Sequence, residues 1–215
     1  KVFSRIMNND TRFEREPGRH ELPENKWYII RNSIFVLGLL KDTEGVAALR
    51  LRISDDDIRV RREIVRALEK IGGEEACDML ILMADDHDRE IQESAVIAAG
   101  LVGAPDAVPL FVDVADRHPS LAVRVVLAIG NLGGDEARNY LVGLLGDDQI
   151  LSAMAGGRVS TEDLKLAVIK SLGHIGDDKS IKRIRDFREN LSTTKKILFR
   201  SSAVNKAIEE ILDRN

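Results

Sequence analysis

The chain has 215 residues, 44% hydrophobic and 32% charged, with 36 acidic and 32 basic side chains that leave a net charge of −4. That composition supports a buried core, and the acidic balance argues against a general nucleic-acid binder, whose phosphate contacts need a basic surplus. Cys77 is the only cysteine, which excludes an intrachain disulfide and argues against a thiolate metal cage. Aromatic residues make up only 4%, so the core must be built from Leu, Ile, Val and Ala.

No apolar run approaches the roughly 18 residues of a membrane span. The opening "KVFSRIMNND" lacks the apolar stretch of a signal peptide. It also lacks an initiator Met, so the chain reads as a piece of a longer protein in a soluble, reducing compartment, the cytoplasm.

In chain order, residues 1–25 read as a partial helix, "KVFSRIM", followed by a polar loop from Asn8 to Asn25 that carries Pro17 and Pro23. From residue 26 onward one unit recurs. "IRVRREIVRALEKIGGEEA" from Ile58 is followed by "REIQESAVIAAGLVGAPDA" from Arg89, "LAVRVVLAIGNLGGDEA" from Leu121 and "LKLAVIKSLGHIGDDKS" from Leu164. Each is an amphipathic helix closed by a glycine, a short polar turn and the start of another helix. The closing positions are Gly72, Gly103, Gly133 and Gly176, separated by 103−72=31, 133−103=30 and 176−133=43 residues. "IIRNSIFVLGLLKDTEGVAAL" adds an earlier unit closing at Lys41 (72−41=31), and "RSSAVNKAIEEIL" a later one closing at Leu212 (212−176=36). Six second helices and five first helices result.

Within a unit, Val60, Ile64, Leu68 and Ile71 form one apolar stripe, and Met79, Leu80 and Met83 a facing one. A single pair cannot bury both, so neighbours must stack. Gly38, Gly100, Gly130 and Gly173 share a column three residues before the closing position. A mid-helix glycine costs about 1 kcal/mol against Ala, so the column predicts close helix approach, with Glu69 and Glu209 departing from it.

The stretch "MADDHDREIQ" gathers Asp85, Asp86, His87 and Asp88, enough donors to suggest a metal site. The same position one repeat earlier reads "RISDDDIRV", and later ones read "ADRHPSLAV" and "LGDDQ". Every one links a first helix to the next second helix, where Asp, Ser and Pro cap a helix and favour its positive end. The cluster is therefore read as turn and cap, with His87 a solvated side chain.

The pattern "VRREIVRALEKIGGEEA", recurring at about 31 residues, resembles the short HEAT-like repeats of bacteria, the type seen in phycobilisome lyases and in many scaffolds. The resemblance implies an all-α fold, an α-solenoid winding as a right-handed superhelix of about five to six stacked helix pairs, with second helices lining its concave side. Two breaks interrupt it. An insertion at 146–163, "GDDQILSAMAGGRVSTED", reads as a mobile loop or short extra helix, with a protein-contact element as the competing reading. Its Gly156, Gly157 and Arg158 lack the context of a phosphate loop. At the other break, His20 and Glu21 form a single His-Glu pair, whereas HEAT-like deoxyhypusine hydroxylases use several to hold two irons. Neither a metal nor a cofactor is expected.

Trp27 and Tyr28 read as core cover, with a partner anchor as the competing reading. Cys77 reads as a small core hydrophobe. In the last helix, Ile197, Val204, Ile208 and Ile211 make a stripe that either caps the array, the favoured reading, or leaves an end face open for a dimer. The outward positions of the second helices carry Arg31, Arg59, Arg62, Arg66 and Lys70, then Glu90, Gln92 and Glu93, then Arg124, then Lys165, Lys170 and Lys206. Of these, Arg31, Arg59, Arg62, Arg66, Glu93 and Arg124 are the candidate partner-binding residues. The expected function is a non-catalytic scaffold, monomeric, binding a protein partner on its concave face. A HEAT-like bilin lyase and a nucleic-acid binder akin to HEAT-like DNA glycosylases are the alternatives.

Overall fold

A computed structural model of the chain describes residues 27–189 and 202–213. The segment expected over residues 1–25, the His20–Glu21 pair and Ile197 lie outside the described residues. Twelve α-helices occur among the described residues: α1 (Trp27–Leu40), α2 (Gly45–Arg50), α3 (Ile58–Ile71), α4 (Glu74–Met83), α5 (Arg89–Val102), α6 (Val108–Arg117), α7 (Ala122–Leu132), α8 (Gly134–Leu144), α9 (Asp148–Ala155), α10 (Thr161–Ile175), α11 (Asp178–Glu189) and α12 (Ser202–Leu212). Short 3-10 turns, each beginning with proline, precede α6 and α7. The fold is an all-α solenoid. Its second helices are α1, α3, α5, α7, α10 and α12, its first helices α2, α4, α6, α8 and α11, and α9 is the insertion.

Local chemistry sets the helix starts. The Asp57 carboxylate accepts the Arg59 backbone N–H and caps α3; Asp147 caps α9 and Ser160 caps α10 in the same way. At two of the four closing positions the backbone itself requires glycine, whereas Gly176 closes α10 at φ −69°, which any residue adopts. Gly72 and Gly133 hold φ of 71° and 72°, a region that costs any residue with a Cβ. Lys41, at the equivalent position of the first unit, is the non-glycine residue forced into it, at φ 50°.

The chain divides into two compact units, Lys1–Val102 and Gly103–Asn215. In the first, α1, α3 and α5 lie side by side with α3 in the middle, and α4 packs behind α3 and α5. Ile34, Leu37, Val60, Ile64, Leu68, Leu80 and Ile91 fill the space between the layers at 0–2% exposure. Each contributes about 1.5–3 kcal/mol relative to an exposed position. Cys77 is buried with them, its thiol directed at the Ala99 carbonyl at 3.8 Å.

The second unit repeats this plan, with α10 stacked between α7 and α12 and with α6, α8 and α11 behind. Val204, Ala207 and Ile211 bury α12 against α10. The insertion is an ordered helix: Leu151, Met154 and Ala155 of α9 are buried, α9 packs on α10, and Gly156 ends it in the left-handed region. Of the two forms expected for residues 146–163, the extra helix is present.

The glycine column does what its spacing implies. A Cβ on Gly38 would stand 2.9 Å from the Ala67 Cα, one on Gly130 would stand 2.5 Å from the Ser171 Cβ, and one on Gly173 would stand 2.9 Å from the Ala207 Cα. At these positions neighbouring second helices touch backbone to backbone.

Candidate functional site

Because three second helices of the first unit stack side by side at a 31-residue spacing, residues of equal phase fall into rows across the stack. Tyr28, Arg59 and Glu90 make one row; Arg31, Arg62 and Glu93 the next; then Phe35, Arg66 and Ile97; then Leu39, Lys70 and Leu101. None of the twelve is buried, and the face is open to solvent along its length. The two rows nearer the helix N-termini are polar and charged. The two nearer the C-termini alternate apolar and cationic side chains, with Leu39 58% and Leu101 56% exposed. Lys70 Nζ stands 4.9 Å above the Phe35 ring.

The arginines on this face are held by carboxylates. Glu63, only 2% exposed, accepts from Arg31 Nε at 3.2 Å and stands 3.7 Å from Arg66 Nη1. Arg62 Nη2 pairs with Glu90, while its buried Nε has no acceptor. Glu93 accepts from Arg89 at 2.9 Å. Arg59 forms two hydrogen bonds with Asp57 and stacks its guanidinium 3.4 Å above the Trp27 ring. The Arg59 side chain, hydrogen-bonded to Asp57, lowers the Asp57 pKa, and the same bond raises that of Arg59. Arg124 lies on α7 of the second unit, half-buried.

Two expectations need correction, and a third gains a role. Trp27 is half-buried and Tyr28 exposed, so neither is core; the Arg59 guanidinium covers the Trp27 ring instead. Lys165 is not on the outward face: it is buried at 7%, and its ammonium reaches the exposed Asp148 of α9 at 2.6 Å. The Asp85–Asp88 stretch is a turn and cap, as expected, but Asp86 does more than turn the chain. It is the partner of Arg61, a fully buried arginine that sequence reading passed over. Its signal was available, since Arg61 stands one residue after the core position Val60, on the inward side of an otherwise exposed arginine run.

Among the described residues no three His, Cys, Asp or Glu side chains converge as a metal site, and no helix is long and apolar enough to cross a membrane. A family model for HEAT repeats matches residues 20–100 and again 80–156, well over half of the chain. The chain belongs to the HEAT-repeat family. The row arrangement follows from the 31-residue spacing of the second helices of the first unit. No curated protein sequence matches it.

Proposed function

We propose that this HEAT-repeat chain is a non-catalytic protein-binding scaffold of the cytoplasm whose partner docks on the outward face of α1, α3 and α5. The observation that carries the reading is the ordered composition of that face: Phe35, Leu39, Ile97 and Leu101 exposed beside Arg66 and Lys70, with Arg31, Arg59, Arg62 and Glu93 ranked above them. Exposed apolar side chains gathered on one surface mark interaction sites, and arginine is enriched where interfaces are strongest. The ion pair with buried Glu63 restrains Arg31, which lowers the side-chain entropy that residue loses on docking. Arg124, in the second unit, belongs to this reading as a separate contact.

A protein with an apolar surface fits the face better than a nucleic acid does. Phosphates find arginines already paired with Glu63 and Glu90, and the apolar side chains offer them nothing. The deciding experiment is capture of partners from source-cell lysate with the wild type and with Lys70→Glu/Leu101→Glu, two exposed changes. A defined protein kept by the wild type and lost by the variant supports the reading. Equal recovery by both removes this face from it. Retention of nucleic acid with steep salt dependence replaces it.

A further inference from the structure

The second unit carries a groove that the scaffold reading does not use. It has a volume of about 680 Å³ and runs over α10, with α7 on one side and α12 on the other. Its apolar floor comes from all three helices: Val123 and Leu127 of α7, Leu166 and Ala167 of α10, and Ala207 of α12. The close approach of α10 and α12 at Gly173 forms its base, since any Cβ there would meet Ala207.

The charges are not spread evenly. Lys170 and His174 stand on successive turns of α10, and Lys206 faces them from α12. Lys206 is 3.6 Å from Glu210, whereas neither Lys170 nor His174 has an ion-pair partner among the described residues. Asp163, the remaining acid of the groove, lies seven residues before Lys170, about 10 Å back along the helix. An apolar floor therefore leads to one end where cations outnumber carboxylates.

We propose that this groove binds a small monocarboxylate with an apolar body, a medium-chain fatty acid being the simplest case. Volumes of about 300–1,000 Å³ with a mainly apolar lining and a few convergent polar groups are characteristic of small-molecule sites. One negative charge balances the surplus of Lys170 and Lys206 over Glu210. A phosphate dianion or a polyanion overshoots that balance and meets Glu210. The groove walls are the sides of helices, whose backbone amides are already bonded within the helix. The carboxylate is therefore held by side chains alone, with the chain lying on Val123, Leu127 and Leu166.

Octanoate is the probe, titrated into the 15N-labelled 215-residue chain and followed by amide chemical shifts. Saturable shifts centred on Val123, Leu127, Lys170 and Lys206 are expected. Lys170→Gln, an exposed change that leaves the packing intact, should weaken octanoate about ten-fold, the loss of one charge-assisted contact. Octanol should bind the wild type more weakly than octanoate by a similar factor. Leu127→Glu, on the half-buried floor, should abolish binding with the melting transition retained. Equal octanoate affinity in wild type and Lys170→Gln overturns the proposal, as do shifts that fall on α1, α3 and α5. Displacement of octanoate by an acidic amphipathic peptide at lower concentration also overturns it, because the groove is then a peptide site.

Discussion

The guanidinium of Arg61 is 1% exposed and grips the Asp86 carboxylate with two hydrogen bonds, Nε to Oδ2 at 2.7 Å and Nη2 to Oδ1 at 3.3 Å. Its Nη1 donates to the Asp55 carbonyl at 2.6 Å, and its Nη2 also reaches His87 Nε2 at 3.0 Å. Asp86 in turn accepts the Asp88 N–H, and its carbonyl accepts from the Gln92 side chain. One buried cation thus ties the turn before α3 to the turn before α5. Breaking such a pair leaves the other charge buried, a loss of about 3–5 kcal/mol, whereas replacing both with apolar residues is far milder. Asp86→Ala should therefore destabilise strongly, and Arg61→Met/Asp86→Leu less than Asp86→Ala alone. Urea denaturation of the variants measures the difference, and an additive double variant contradicts the pairing.

Gly130 and Ser171 test the contact between α7 and α10. Ala is the better helix former by about 1 kcal/mol, yet a Cβ at 130 would stand 2.5 Å from Ser171 Cβ. Overpacking of this kind costs about 1–3 kcal/mol, so Gly130→Ala should lower the melting temperature. Gly143 is the control, being exposed in α8 with open space around its Cβ position. Gly143→Ala should raise stability by about 0.5–1 kcal/mol. The two substitutions are chemically identical, and thermal melts should give them opposite signs.

Lys41 occupies the closing position that Gly72 and Gly133 fill in later repeats, and it does so at φ 50°. The turn is fixed by the Asp42 N–H donating to the Leu37 carbonyl at 3.2 Å. A residue with a Cβ held there costs of order 1 kcal/mol. Lys41→Gly should raise stability, by less than that amount because glycine also loosens the unfolded chain. Lys41→Val should lower it. Guanidinium denaturation midpoints of the pair give the comparison.

Asp57 links stability to pH. Its folded pKa lies below the ordinary carboxylate value, chiefly because the Arg59 side chain hydrogen-bonds the charged form, with the Arg59 backbone N–H and the nearby Arg61 charge adding to the effect. A group with a lowered folded pKa stabilises the native state above its unfolded value, about 3.9, and loses that contribution as pH falls through the folded one. Asn caps a helix as well as Asp does. Asp57→Asn should therefore be less stable than the wild type at neutral pH, with the gap unchanged down to about pH 5 and closing below pH 4. A gap that stays constant through the acid range shows that the charge contributes nothing. Arg59→Ala should uncover the chain's one tryptophan, Trp27, and shift its fluorescence to the red.

The sequence by itself determined the architecture, for a physical reason. Helical period, capping acids and closing glycines are local properties, and a repeat states them several times over. Val60, Ile64 and Leu68 declared one buried stripe, Gly38 and Gly130 declared the close crossings, and each landed where its spacing put it. Helical phase sets Arg61 on the inward side of α3, but only tertiary structure supplies the carboxylate that lets a charge stay there. Arg59, Arg61 and Arg62 are adjacent in the chain and alike in chemistry, yet Arg61 is buried because Asp86, twenty-five residues away, meets it there. The inserted helix gave the buried Lys165 an exposed carboxylate to reach, Asp148, and Trp27 was left half-covered by Arg59 rather than by the core. The groove over α10 likewise exists only once α7 and α12 are in place, since its floor and its cations come from three segments that no local pattern connects.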